Sequence, residues 1–127
     1  MRTFQLNGDI WKVVFVSPYS DLLIDRTHNH TIGTTDPSTR CVYISRQLSP
    51  YMLRRVLIHE IGHCALISFN LLPYIHKVVK SEYWIDAEEW VCNFISDYGI
   101  IICEAANSVL IDDIIETVPR EYERIIS

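Results

Sequence analysis

The sequence lacks a long hydrophobic run. Its longest apolar stretches, such as Val13-Val14-Phe15-Val16 and Ile100-Ile101-Ile102-Cys103, span only a few residues, whereas a helix that crosses a membrane needs about 20. No membrane span is expected. The opening residues, MRTFQLNGD, have no apolar core of the kind a secretion signal requires, so a cytoplasmic location is expected and the Asn29-His30-Thr31 acceptor triplet carries no weight. Basic clusters are missing too. Arg54-Arg55 is the only adjacent basic pair, and the net charge of −5 argues against a protein that grips nucleic acid directly through its phosphates. There is no CxxC pair: Cys41, Cys64, Cys92 and Cys103 stand apart in apolar surroundings and read as reduced core thiols. Repeats, low-complexity tracts and linkers are absent as well. The 127 residues therefore read as a single domain, 1–127, long enough for one real core.

What is present divides into two textures. Up to about residue 48 the chain is rich in β-branched and aromatic residues broken by turn signals. Phe4 to Leu6, Asn7-Gly8-Asp9 and Ile10 to Val16 read as a hairpin, because Asn-Gly suits a tight turn. A second strand pair follows, Thr31 to Thr35 and Cys41 to Ser45, joined around Asp36-Pro37-Ser38. The segment from Asp21 to His30 between the pairs is ambiguous, with room for a short helical turn.

From Ser49 the texture is helical. Ser49 can cap a helix whose first turn holds Pro50, where a missing N–H costs nothing. This helix is expected to reach about Phe69 and to be ended by Pro73, with a polar loop from Tyr74 to Ser81. A second helix should start near Tyr83 and extend at least to Tyr98, with Gly99 as a candidate break. Asp112-Asp113 and Pro119 punctuate a short helical tail. Strands first and helices after describe an α+β domain.

The centre of the first helix is unusual. Residues 56 to 66 read VLIHEIGHCAL, and between Val56 and Leu72 the only ionisable side chains other than a thiol are His59, Glu60 and His63. Positions four apart share a helix face, so His59 and His63 can bring both imidazoles to one point. Glu60 projects about 100° further round. This is the H-E-x-x-H geometry, in which two neutral imidazoles hold zinc and the glutamate can take a proton from water beside it. Burying a carboxylate and two imidazoles without partners would cost several kcal/mol, and Zn2+ removes that cost. Gly62, about 1 kcal/mol worse than alanine in mid-helix, suggests that another segment approaches closely there.

A catalytic zinc needs a third protein ligand and an open position. A histidine at metzincin spacing is excluded, because Leu66 and Phe69 stand where that motif needs glycine and histidine. His76 in the following segment is one alternative, in the manner of SprT-like proteins. The other lies in Ile85-Asp86-Ala87-Glu88-Glu89-Trp90-Val91-Cys92-Asn93-Phe94-Ile95. Tracing Trp84, Ala87, Val91, Phe94, Ile95, Tyr98 and Ile102 as the inward apolar face puts Glu88 within that stripe and Glu89 beside it. Glu88 is therefore the expected third ligand, and Glu89 is expected to be a solvated carboxylate in an acidic first turn. A structural zinc site would need a fourth ligand, for which Cys92 is the one candidate.

The strands around Gly33 and Val42-Tyr43-Ile44, then L-x-x-V-L-I-H-E-I-G-H, then an acidic helix with E-x-x-x-x-x-F, together resemble the ImmA/IrrE-type metallopeptidase core over roughly residues 30 to 98. The family pattern in the second helix is E-x-E-A-N-x-F-A. Setting Phe94 on its phenylalanine places Glu88 on the first glutamate, while Trp90 and Cys92 stand where glutamate and asparagine are usual. The resemblance implies a small zincin-like fold, His59, His63 and Glu88 as zinc ligands, and Glu60 as general base. It also implies hydrolysis of a peptide bond in a partner protein, a regulator or repressor in the ImmA kind. No helix-turn-helix is visible, so any DNA-binding partner is a separate protein. The rival class is a zinc-fold module that binds a partner without cutting it. The sequence determines neither the substrate nor the oligomeric state.

Overall fold

The computed structural model describes residues 2–112, with side chains described up to residue 110. The expected tail around Asp113 and Pro119 lies outside the described residues. Four strands, β1 (Arg2–Leu6), β2 (Asp9–Val16), β3 (Gly33–Asp36) and β4 (Cys41–Ser45), precede three α-helices: α1 (Pro50–Ser68), α2 (Leu72–Val78) and α3 (Trp84–Asp112). Short 3-10 turns occupy Asp21–Leu23 and Ser81–Tyr83. The architecture is α+β.

Both expected hairpins form. Asn7 and Gly8 have φ of 49° and 84°, the paired left-handed conformation that a two-residue hairpin turn needs. The sheet order is β1-β2-β4-β3. β1 pairs antiparallel with β2 and β3 with β4, but the central β2 and β4 run parallel, with Val13 opposite Val42 and Phe15 opposite Ile44. The sheet is thus mixed rather than wholly antiparallel, and β3 is left as an edge.

Alternation along β2 and β4 sends Trp11, Val13, Val42 and Ile44 to one face, where they bury against Val56 and Cys64 of α1. Ser49 caps α1 by accepting from the Met52 amide at 3.3 Å, with Pro50 in the first turn. At the other end, Trp11 Nε1 donates to Ser68 Oγ and Asn7 Nδ2 donates to the Ser68 carbonyl, each at 2.8 Å. The hairpin tip therefore ties down the C-terminus of the helix that carries the histidines.

Two expectations about proline and glycine fail for identifiable reasons. α1 ends at Ser68, and Asn70 at φ 54° turns the chain before Pro73 is reached. Pro73 instead sits in the first turn of α2, the role Pro50 plays in α1, so Tyr74 to Val78 is helical rather than loop. α1 and α2 meet at 90°. Gly99 does not interrupt α3, which runs continuously to Asp112; one mid-helix glycine costs only about 1 kcal/mol. Among the described residues no single helix is long and apolar enough to cross a membrane. The four cysteines are free, but only Cys64 and Cys92 are buried; Cys41 is half-buried and Cys103 exposed.

Gly33 is the point where the sheet edge meets α1. A Cβ added there would lie 2.6 Å from Val56 Cγ1 and 3.3 Å from Glu60 Cγ. Gly33→Ala should therefore overpack this contact and destabilise the fold by about 1–3 kcal/mol, read as a lowered thermal midpoint. A midpoint equal to wild type would mean that β3 does not approach α1 so closely.

Candidate metal centre

α1 and α3 cross where both helices are thin. A Cβ on Gly62 would lie 3.2 Å from Cys92 Sγ, so the close approach expected at Gly62 is made by α3. The residues α3 turns inward are Glu88, Cys92 and Ser96, all buried, while Trp84, Phe94, Ile95, Tyr98 and Ile102 are exposed. The expected phase holds for Glu88, which is buried, but fails for the apolar residues, which face outward. The physical reason is that small and anionic residues, not bulky apolar ones, let the helix sit against Gly62 and two imidazoles.

The histidines meet as the i, i+4 spacing requires. His59 Nε2 and His63 Nε2 are 3.2 Å apart, with ring planes at 72°. His59, Glu60 and His63 form a group whose ligand atoms all lie within 4.8 Å of one another. The carboxylates of α3 then divide the work in a way the sequence did not suggest. Glu89 reaches the Nε2 edge of both rings, with Oε2 3.0 Å from His59 and Oε1 3.2 Å from His63. Glu88 goes to the opposite edge of His63, with Oε2 2.5 Å from Nδ1. Glu89 rather than Glu88 is thus the carboxylate at the two Nε2 atoms, and its side chain is 41% exposed against 8% for Glu88.

Glu88 is held from outside by Arg26, at 3.2 Å from Oε1 and 3.0 Å from Oε2. A buried carboxylate needs a counter-charge, and the expectation that a metal supplies it overlooked this guanidinium. The only signal was the ambiguity of the segment Asp21 to His30. Its chain folds into a 3-10 turn, and Asp25 then accepts from the Thr27 and Asn29 amides, which shapes the loop around Arg26. On the far side Thr35, from edge strand β3, donates to Glu60 Oε1 at 2.9 Å. Glu60 Oε2 lies 3.8 Å from His59 Nε2. His76, the alternative ligand, stacks on Trp84 at 3.9 Å between ring centres and does not line the cleft. Cys92 lies against both Gly62 and His63.

The electrostatics follow from this crowding. Burial pushes the Glu60 carboxyl up, only partly opposed by the imidazoles and Thr35. Hydrogen bonds from His59 and then His63 hold Glu89 well below the usual range. Burial resists charge on Glu88, yet His63 and Arg26 outweigh it and lower that carboxyl as well. Burial also pulls His63 down, but Cys92, Glu88 and Glu89 together push its imidazole up to about 12. That surrounding favours the charged form of His63, which lies between two carboxylates.

Zinc fits the same donors. Ligands bonded at 2.0–2.1 Å to a tetrahedral ion stand about 3.3 Å apart, close to the 3.0–3.2 Å between the two Nε2 atoms and Glu89. With His63 Nδ1–H donating to Glu88, its Nε2 lone pair is free for a metal, the tautomer that a carboxylate partner enforces. With neutral imidazoles, Glu60, Glu88 and Glu89 carry three negative charges against one on Arg26, and a dication cancels the remainder. A cleft of about 1060 Å³, lined by β3, α1, α3 and the Asp21–Thr31 segment, leaves one side of the cluster open.

Two outcomes follow. Glu89→Gln should lower zinc affinity more than Glu88→Gln, which should cost about 10–100-fold through loss of His63 orientation; competition against a chromophoric chelator reads both. Equal losses would contradict the division between the carboxylates. Second, zinc must displace the His63 proton, and His63 is raised above its ordinary value, so it stays protonated in the free protein through neutral pH. Affinity should therefore climb about tenfold per pH unit between roughly pH 6 and 8, and a flat profile would contradict the imidazolium.

No family model matches this chain, and no curated protein is similar to it.

Proposed function

We propose that the protein is a zinc-dependent metallopeptidase of the ImmA/IrrE-like kind, hydrolysing a peptide bond in an extended segment of a partner protein. The observation that carries this reading is the convergence of His59 Nε2, His63 Nε2 and Glu89 at the mouth of an open cleft. Beside them lies buried Glu60, which among the described residues meets no cationic side chain other than the imidazoles. A metal-binding group with its ligands closed off from solvent would favour a structural role; here one side faces the cleft. His59, His63 and Glu89 would hold the ion, and Glu88 would be the residue that orients His63, with Arg26 behind it.

When bound, zinc would supply Lewis acidity, acidifying water and polarising the carbonyl of the peptide to be cut. Glu60 performs the proton transfer. Its carboxylate is raised by burial toward the working pH, the tuning expected of a general base. Thr35 holds Oε1, which leaves Oε2 directed toward the histidines to take a proton from water and deliver it to the departing amine. Glu88 stabilises the Nδ1 proton of His63 throughout. The substrate would lie along β3, whose outer edge is unpaired in the sheet and whose residues from Gly33 to Asp36 line the cleft. Main-chain pairing to such an edge binds an extended peptide with little demand on its sequence.

Glu60→Gln tests the assignment. Glutamine is nearly isosteric, so fold and zinc content should be those of wild type, while its amide cannot accept the proton. Digesting a proteome-derived peptide library and sequencing new N-termini by mass spectrometry should give cleavage with wild type and a loss of at least ~10²–10⁴-fold with Glu60→Gln. Zinc-loaded wild type that generates no more new termini than Glu60→Gln would remove the enzyme reading and leave a partner-binding module.

A further inference from the structure

α3 carries more apolar surface than its own fold covers. Trp84, Val91, Tyr98 and Ala105 fall seven residues apart, and Ala87, Phe94, Ile101 and Ser108 follow each by three. That 3.5-residue repeat, sustained from Trp84 to Ser108, is the signature of a helix lying along a second helix. Ile95, Ile102 and Val109 widen the stripe on one flank. Among the described residues only the Trp84 end of the stripe meets another helix, where His76 of α2 stacks on Trp84; α1 meets the other side of α3, through Glu88, Cys92 and Ser96. From Ile101 to Leu110 every residue is exposed, so this half of α3 stands clear of the described fold. A helix that is apolar on a solvent-facing side needs company.

We propose that the outward face of α3 is the interface of a homodimer in which the α3 helices of two copies pair antiparallel. The area is sufficient. Trp84, Trp90, Phe94, Ile95, Tyr98, Ile101, Ile102 and Val109 are 37–67% exposed, roughly 900 Å² given the ~150–250 Å² that large side chains can bury. A stable interface takes about 800 Å² from each partner.

The distribution of volumes selects a second copy as occupant. The bulky aromatics, Trp84, Trp90 and Phe94, lie in the half of α3 that α1 supports, while Ala105 and Ser108 lie in the free half. An antiparallel pair centred near Ser96 sets Trp84 over Ser108 of the second copy, Val91 over its Ile101 and Phe94 over its Tyr98. Trp84 then meets a smaller residue, Val91 and Phe94 meet residues near their own size, and Ala87 faces Ala105. A parallel pair would stack Trp84 on Trp84 at one end and leave Ser108 on Ser108 at the other. The repeat holds no ionisable group other than Tyr98; on its flank Asp97 is paired with Arg55 of its own chain and Glu104 is exposed. Phe94 stacks on Trp90 at 5.6 Å and meets Tyr98 at 5.7 Å with the rings tilted by 37°, which leaves less side-chain freedom to lose on pairing.

Sedimentation equilibrium of the full chain tests this. Wild type should sediment at twice its 14.8 kDa chain mass. Ile101→Lys, at a position 59% exposed and remote from the histidines, should sediment at the single-chain mass with its zinc content unchanged. Val91→Glu should do the same. Mixing the two variants should restore the doubled mass. Only in the antiparallel pair does the carboxylate introduced by Val91→Glu in one copy face the ammonium introduced by Ile101→Lys in the other. Wild type at the single-chain mass would overturn the proposal and assign the stripe to the residues beyond 112 or to a different protein. A dimer that survives Ile101→Lys would also overturn it, and failure of the mixture to pair would overturn the antiparallel arrangement.

Discussion

Three carboxylates and two imidazoles packed between α1 and α3 constrain almost everything else in the fold. Left to themselves, Glu60, Glu88 and Glu89 would repel one another, most strongly the buried Glu60 and Glu88. Thr35 holds Glu60, Arg26 and the Nδ1 edge of His63 hold Glu88, and the Nε2 atoms of both histidines hold Glu89. Those partners come from β3, from the segment after β2, and from α1, so the cluster draws three separate elements to one place.

The helix contacts can be understood as consequences. To bring Glu88 and Glu89 onto the histidines, α3 must lie close to α1, and Gly62 against Cys92 permits it. To bring Thr35 onto Glu60, the sheet edge must press on α1, and Gly33 permits that. Once anionic and small residues fill the inward face of α3, its aromatic and branched residues have only the outside left. The exposed stripe is thus the other side of the same constraint, and it is why a polar centre and an apolar docking face occur on one helix.

Much of this was legible in advance. Asn7-Gly8 announced a hairpin, Ser49-Pro50 a helix start, and the His59-Glu60-x-x-His63 spacing a shared helix face; each rests on local geometry that tertiary contacts do not overrule. What failed depended on non-local contacts. An apolar-inward reading of α3 buries Glu88 correctly but turns the aromatic residues inward and misses the reach of half-exposed Glu89 to both Nε2 atoms. Arg26 was invisible because nothing local links it to a glutamate 62 residues on. Pro73 was given a terminating role when Asn70, three residues earlier, had already turned the chain.

The central claim is that one zinc ion sits between His59 Nε2, His63 Nε2 and Glu89. Diffraction from zinc-loaded crystals on both sides of the zinc absorption edge tests it most directly. The account predicts one anomalous peak per chain, about 2.0–2.2 Å from those three donors, with Glu88 on Nδ1 of His63 and not in contact with the metal. A peak bonded to Glu88, or none between the histidines, would contradict it.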